Sequence, residues 1–274
     1  MSIRLIFSDV DGTILPSFGD ISDRTRAAIR ACGEKGIPFV ICSGRWFAGA
    51  KDVARSAGLQ EGYLVIANGG AVVRLDGTPL FENFIPDPLA RRAAEILRKY
   101  PTAIHAYGRN RVHRLNSRLP GESLRKILDD HFVDRDGCTC ITDDEAAFDR
   151  CLSAVYKIEA YIDHPGVLEA ARPELEAAGL AVASSHQNNI EILAHGMGKG
   201  VAVRWLAAHL GVTREEIMAF GDNTNDLNML SEVGWPVAVE NAAPQVKQMA
   251  KIIAPSCEGD GVAQIIERIL EEIP

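Results

Sequence analysis

Asp9 and Asp11 stand two residues apart, directly after an apolar run (Ile3 to Phe7) and just before Gly12-Thr13. Two carboxylates near one strand end can point into one cleft. There they suit a hard cation such as Mg2+, which prefers oxygen ligands. They can equally serve as a nucleophile beside a general acid/base. Gly12 permits a tight turn with close backbone approach to a ligand. The same residues also spell an ordinary Asp-Gly turn, so this cluster leaves both readings open.

Three more polar clusters recur along the chain. Ser43-Gly44-Arg45 follows the run Ile37 to Ile41. A hydroxyl and free backbone N–H groups opening a helix form an anion site, although Ser-Gly is also a common turn. Gly198-Lys199-Gly200 heads a helical pattern. A lysine between glycines has room to reach a phosphate as a point charge, or simply to sit in solvent. Gly221-Asp222-Asn223-Thr224-Asn225-Asp226 follows the run Ile217 to Phe220 and brings two acids and two amides. Alone it could be a solvated loop. In open α/β sheets, however, ligands collect beyond the carboxyl ends of the strands. Four such clusters in order argue jointly for a site.

The elements that must carry these residues are legible as short continuous apolar runs alternating with helical periods. Strand candidates are Ile3–Phe7, Ile37–Ile41, Tyr63–Ala67, Ile217–Phe220, Trp235–Val239 and Ile252–Ala254. Continuous rather than alternating runs are what buried parallel strands look like. Helical patterns lie between them at Ser22 to Glu34, with Ser22 as N-cap, at Gly200 to Leu210 and at Val262 to Leu270. Strand–helix alternation predicts an α/β fold with a doubly wound, Rossmann-like parallel sheet.

The middle of the chain departs from that rhythm. Val155 to Ile162 alternates, which predicts an antiparallel strand. Charge is segregated: residues 91–126 hold ten Lys/Arg against two acids, and residues 129–150 hold eight acids against two bases. Such runs are either two solvated faces or, for the first, a basic surface that attracts anions. The predicted division is a core of residues 1–83 and 189–274, with an inserted α+β domain at 84–188 and the core sheet resuming near Glu191.

Composition bounds the rest. A chain of 274 residues with 47% apolar and 24% charged residues can build a full core without disulfide staples. The net charge of −8 argues against nucleic acid as the main partner. Six scattered cysteines show no Cys-x-x-Cys pair, and Cys138-Thr139-Cys140 is too short a spacing for a zinc knuckle. With neither a signal peptide before the first strand nor an apolar run of membrane-spanning length, the expected location is the cytoplasm.

With Phe7-Ser8-Asp9-Val10-Asp11-Gly12-Thr13, Asn68-Gly69-Gly70 and the other three clusters together, the chain resembles the haloacid dehalogenase superfamily, and within it the Cof-type phosphatases. The likeness runs through nearly the whole chain. It implies Asp9 as nucleophile and Asp11 as general acid/base. It implies Mg2+ held by the Asp9 side chain, the Asp11 backbone carbonyl and Asp222. Ser43, Gly44, Lys199 and Asn225 would bind the phosphoryl group, and Asp226 would orient the site. Ser8 departs from the aspartate usual there. The insert, lying between the second and third clusters, would be the large α/β cap that closes over the phosphate and meets the leaving group. Arg45, Asn68 and Asn188 are then candidate substrate contacts, with His186 and Asn189 either contacts or hinge residues. The expected activity is Mg2+-dependent hydrolysis of a small phosphorylated metabolite through an aspartyl phosphate on Asp9. A phosphosugar mutase and a non-catalytic phosphometabolite-binding regulator are the alternatives.

Overall fold

Continuous apolar runs pay their backbone hydrogen bonds into a sheet and amphipathic stretches fold on top of it. The computed structural model describes residues 2–16, 20–116, 139–161, 168–184 and 188–272. The chain opens with β1 (Leu5–Ser8), α1 (Asp23–Glu34), β2 (Phe39–Cys42), α2 (Phe47–Ser56), β3 (Tyr63–Ile66), β4 (Ala71–Arg74) and β5 (Pro79–Glu82). The middle supplies α3 (Asp87–Leu97), β6 (Ala103–Gly108), β7 (Val112–Leu115), β8 (Thr139–Thr142), α4 (Glu145–Asp149), β9 (Val155–Tyr161), α5 (Arg172–Ala177), β10 (Leu180–Ala183) and β11 (Asn189–Ala194). The last stretch gives α6 (Lys199–Leu210), β12 (Ile217–Gly221), α7 (Leu227–Leu230), β13 (Trp235–Val239), α8 (Pro244–Met249), β14 (Ile252–Ala254) and α9 (Gly261–Glu272). No helix among the described residues is long and apolar enough to cross a membrane.

Two compact units result: Met1–Glu82 with Gly198–Pro274, and Asn83–Met197. In the first, described strands run in the order β14-β13-β12-β1-β2-β3-β4-β5. The six strands from β14 to β3 are parallel, as continuous burial requires. Phe7, Val40, Leu64, Phe220 and Val237 are fully buried in them. Ser22 caps α1 by accepting the Thr25 N–H at 3.0 Å. The parallel reading fails at one edge. β4 and β5 turn back antiparallel, because Ala67, Asn68 and Gly69 are all left-handed (φ 50°, 54° and 89°) and reverse the chain after β3.

In the second unit the order is β10-β11-β9-β6-β7-β8, antiparallel except for β7 with β8. One sheet face packs Ile104, Ile158, Ile190 and Ile192 under Leu97, Phe148 and Leu175. Here the sequence reading needs correction. β11 pairs with β9 and β10, so Glu191 belongs to this sheet, and the chain re-enters the first unit at Gly198 rather than at residue 189.

Alternation predicts that the other face of β9 is wet. Instead Lys157 and Glu159 are buried there. Glu159 accepts from the hydroxyls of Tyr107 (2.6 Å) and Tyr161 (2.7 Å) and from Asn189 Nδ2 (2.7 Å). Lys157 Nζ lies 3.1 Å from Glu159 and 2.9 Å from Glu191. Its ammonium also sits 4.4 Å over the Tyr107 ring. A buried charge is tolerated only when every oxygen and proton is answered in this way. Burial opposes ionisation of Glu159, but Lys157 and the hydroxyls outweigh it and bring the carboxyl down to about 2. Burial pushes the neighbouring His105 down to about 3, with Arg114 and Lys157 adding to the effect and Glu159 opposing it.

Both groups take up protons later in the folded chain than in the unfolded one, so both lose stability as pH falls. His105 does so from its ordinary 6.5 toward 3. Glu159 follows, from its ordinary 4.5 toward 2. Between them the two groups therefore contribute a drop in melting temperature from pH 7 to pH 4. His105→Asn should flatten the part of that drop above pH 5, measured by circular dichroism. An unchanged slope in the variant would mean that His105 does not govern it.

Candidate active site

Strand register brings three of the clusters to one edge. β1 lies between β12 and β2, with Ser8 paired to Phe220 on one side and Ile41 on the other. The residues that follow, Asp9, Gly221-Asp222 and Ser43, therefore leave the sheet together. The Asp9 N–H donates to the Phe220 carbonyl (3.0 Å) and the Ser43 N–H to the Val65 carbonyl (2.9 Å). Ser8, the departure from the family pattern, turns its hydroxyl onto the Asp9 carbonyl at 2.7 Å.

The turn after Asp9 is pinned from three sides. Val10 O accepts the N–H groups of Thr13, Ile14 and Leu15. Gly12 is left-handed (φ 84°), and a Cβ there would fall 2.6 Å from Asp222 Oδ2. Asn241 Nδ2 donates to Gly12 O at 2.8 Å, while its Oδ1 accepts the Cys257 N–H at 2.9 Å. Sequence reasoning missed Asn241. Its only signal is a place just after β13, the next strand along the same sheet edge.

Lys199 arrives on α6. Its glycine neighbours do not give it freedom, contrary to the sequence reading. They let backbones touch: a Cβ on Gly200 would lie 2.2 Å from the Asn228 carbonyl oxygen, and one on Gly198 2.2 Å from Asn228 Nδ2. Lys199 itself is fully buried. Its ammonium donates to Asp9 Oδ1 and, at 2.6 Å, to Asp226 Oδ1. Asp226 spends its other oxygen on the N–H groups of Asp222 (3.0 Å) and Asn223 (3.1 Å). Asp222 Oδ1 takes the Thr13 hydroxyl at 2.8 Å.

Asp9, Asp222 and Asp226 thus offer oxygens within 4.8 Å of one another. Three carboxylates against one ammonium leave an excess of two negative charges in a mostly buried cluster. Burial first, and then Asp226 and Asp222, push Asp9 well above the usual carboxylate range against the pull of Lys199. Burial and Asp226 raise Asp222 to about 6. Burial opposes the charge on Lys199, yet Asp226 and Asp9 hold it firmly protonated. A divalent cation against the carboxylates of Asp9 and Asp222 fits this donor set in charge and hardness. Asp226, whose oxygens are both engaged, positions Lys199 and the loop.

Asp11 is not one of the clustered carboxylates. Arg45 grips it with a two-pronged pair, Nε to Oδ2 at 3.1 Å and Nη2 to Oδ1 at 2.6 Å. The Asp11 side chain is 56% exposed. Ser43 is buried and its Oγ accepts the Arg45 N–H at 3.2 Å. Asn68 is buried beside Gly44, where an added Cβ would come within 3.0 Å of its Oδ1. Asn225 has a buried Oδ1 with no partner among the described residues. Asn188 is exposed before β11 in the second unit, and Asn189 is consumed by Glu159. His186 lies outside the described residues.

A haloacid dehalogenase-like hydrolase family model matches residues 6–266. The chain is 31% identical over 266 residues to a 5-amino-6-(5-phospho-D-ribitylamino)uracil phosphatase of Bacillus subtilis, spanning 97% of this chain and 95% of that one. It is 30% identical over 272 residues to an HMP-PP phosphatase of Yersinia pseudotuberculosis, again spanning 97% and 95%. A crystal structure of a haloacid dehalogenase-like hydrolase from Bacteroides thetaiotaomicron matches with a TM-score of 0.82 at 28% identity, covering 97% of this chain and 99% of that one.

If Asn241 holds the Asp9–Thr13 turn in place, Asn241→Ala should loosen the turn without unfolding the sheet. One lost hydrogen bond of about 1 kcal/mol corresponds to roughly fivefold weaker Mn2+ binding, read by electron paramagnetic resonance. Wild-type affinity in this variant would show that the turn holds itself.

Proposed function

Since the chain belongs to the Cof-type haloacid dehalogenase-like hydrolases, we propose that it is a Mg2+-dependent phosphatase of small phosphorylated metabolites, working through Asp9. The observation that carries the reading is the buried cluster in which Lys199 bridges Asp9 and Asp226 while Asp222 stands beside them.

Asp9 is the nucleophile. Its Oδ1 is tied to Lys199, which leaves Oδ2, without a hydrogen-bond partner among the described residues, to attack phosphorus in line. The P–O bond to the leaving group breaks as the bond to Asp9 forms. Asp11 gives a proton to the departing oxygen and later takes one from the water that cleaves the aspartyl phosphate. To do this it must leave Arg45, which engages both of its oxygens. Arg45 is then free to face substrate. Lys199, Ser43 and Asn225, the last through its Nδ2 donors, are the groups proposed around the phosphoryl oxygens. Mg2+ held by Asp9, Asp222 and the Asp11 carbonyl would neutralise the excess charge and polarise a phosphoryl oxygen. The Bacillus and Yersinia relatives, named for different phosphorylated compounds, support the substrate class without narrowing it.

Protein stripped with EDTA should release no free phosphate from a panel of phosphorylated metabolites, and Mg2+ should restore release in step with the alcohol. Asp222→Asn should raise the Mg2+ concentration for half-maximal rate by tenfold or more, an order of magnitude expected for a lost charged ligand. Full activity in EDTA would sink the metal assignment. Transfer of phosphate to a second substrate without free phosphate would point to a mutase instead.

A further inference from the structure

The turn from β3 into β4 is more strained than a reversal requires. Connections of four residues between antiparallel strands are most often built around a type I turn, whose central residues have negative φ. Here Ala67 (φ 50°), Asn68 (φ 54°) and Gly69 (φ 89°) are left-handed in succession. That conformation costs most for Ala67, less for an asparagine and nothing for a glycine. Such strain persists only where the surroundings over-determine it, and it collects at functional sites. What the turn gains is contact with the elements that carry Ser43 and Lys199. The Ala67 N–H donates to the Arg45 carbonyl (2.9 Å) and the Asn68 N–H to the Ser43 carbonyl (3.0 Å). Gly44 lies between those two anchors. A Cβ on it would meet the Asn68 side chain first, 3.0 Å from Oδ1 and 3.3 Å from Nδ2. A Cβ on Gly69 would lie 2.2 Å from the Gly198 carbonyl oxygen and 3.0 Å from the Lys199 nitrogen. One turn therefore touches both the loop of residues 43–45 and the start of α6.

We propose that residues 67–69 fix the spacing between the two phosphate-binding pieces, residues 43–45 and Lys199, with the Asn68 amide as a positioning residue beneath Gly44. The inference rests on the phosphatase reading and deepens it. Ser43 and Lys199 can grasp one phosphoryl group only if their separation is held, and they come from different elements, the end of β2 and the first residue of α6. Lys199 is fixed by Asp9 and Asp226. The loop of residues 43–45 is tied through its Ser43 and Arg45 carbonyls to a turn that itself abuts Gly198. Asn68 is buried against Gly44, so it acts on an anion through the loop. An asparagine suits this place. It tolerates the left-handed backbone that the turn imposes, and its flat amide fits under a residue without a side chain. As a support rather than a substrate contact, it needs no exposure.

Inorganic phosphate is titrated calorimetrically into the full-length protein with Mg2+ present, for wild type, Asn68→Gly, Gly44→Ala and the double variant. Asn68→Gly keeps a residue that takes this φ freely and removes only the amide. Gly44→Ala pushes a methyl group against that amide. Each should weaken phosphate binding about tenfold, the scale of one displaced charge-assisted hydrogen bond. The double variant should be no weaker than Asn68→Gly alone, because the methyl group enters the space that the amide leaves. Mn2+ affinity, read by electron paramagnetic resonance, should stay put, since Asp9 and Asp222 follow β1 and β12 rather than β2 or β3. A loss of about a hundredfold in the double variant would mean that Asn68 and Gly44 meet the anion separately, which overturns the proposal. Wild-type phosphate affinity in either single variant overturns it too, as does Mn2+ binding lost together with phosphate, the mark of general loosening. Should Asn68→Gly not fold, Gly44→Ala carries the test by itself. No phosphate binding by the wild type would remove the phosphatase reading, and this inference with it.

Discussion

A fully buried ammonium must be answered, and Lys199 is answered by two carboxylates from opposite ends of the chain. The rest of the site follows from that constraint. Asp9 can meet Lys199 only because β1 sits between β2 and β12 in matched register. Lys199 can enter only because Gly198 and Gly200 allow α6 to press against Asn228. Asp226 can hold its oxygens toward Lys199 and the Asp222 N–H only because Gly221 has no Cβ, which would lie 2.7 Å from Asp226 Cβ. Removing one partner of such a cluster leaves an uncompensated buried charge, which typically costs about 3–5 kcal/mol. Lys199 is therefore structural as well as part of the proposed chemistry, and its loss cannot be treated as a change to catalysis alone.

In the proposed mechanism, environment divides labour between the two aspartates of the first turn. Asp9 is buried against a lysine and two acids, and the excess negative charge there calls for a cation. Asp11, two residues on, is more than half exposed and held by an arginine that can let go. A nucleophile needs a fixed position and a counter-charge; a proton shuttle needs access to solvent and a partner it can exchange. The second unit uses the same physics without chemistry. Its Lys157–Glu159–Glu191 network is saturated by tyrosine hydroxyls and an amide, so it specifies packing and leaves little for a ligand.

Much of this was legible in the sequence because chemistry-bearing residues follow continuous apolar runs, and such runs become parallel strands that end at one edge. What was not legible depends on distant partners. Lys199 looks mobile between two glycines until Asn228 and Asp226 are seen against it. Asn241 sits in an unremarkable Asn-Ala-Ala stretch, and its two partners are Gly12 and Cys257. β11 was placed in the wrong sheet because its apolar residues suit either one, and only its pairing with β9 decides. The burial of the charges on β9 was not legible because alternation marks which residues share a face and not whether that face is covered.

The central claim is that Asp9, and not Asp11, takes the phosphoryl group, and trapping the intermediate tests it most directly. With an aryl phosphate the leaving oxygen needs little protonation, so Asp11→Asn should still pass phosphate to Asp9. It then lacks the base that activates water for the second step. Intact-mass measurement after brief mixing with Mg2+ should show a phosphate adduct on Asp11→Asn, located by peptide mapping at Asp9, and none on Asp9→Asn. An adduct on Asp9→Asn would mean that another residue is the nucleophile.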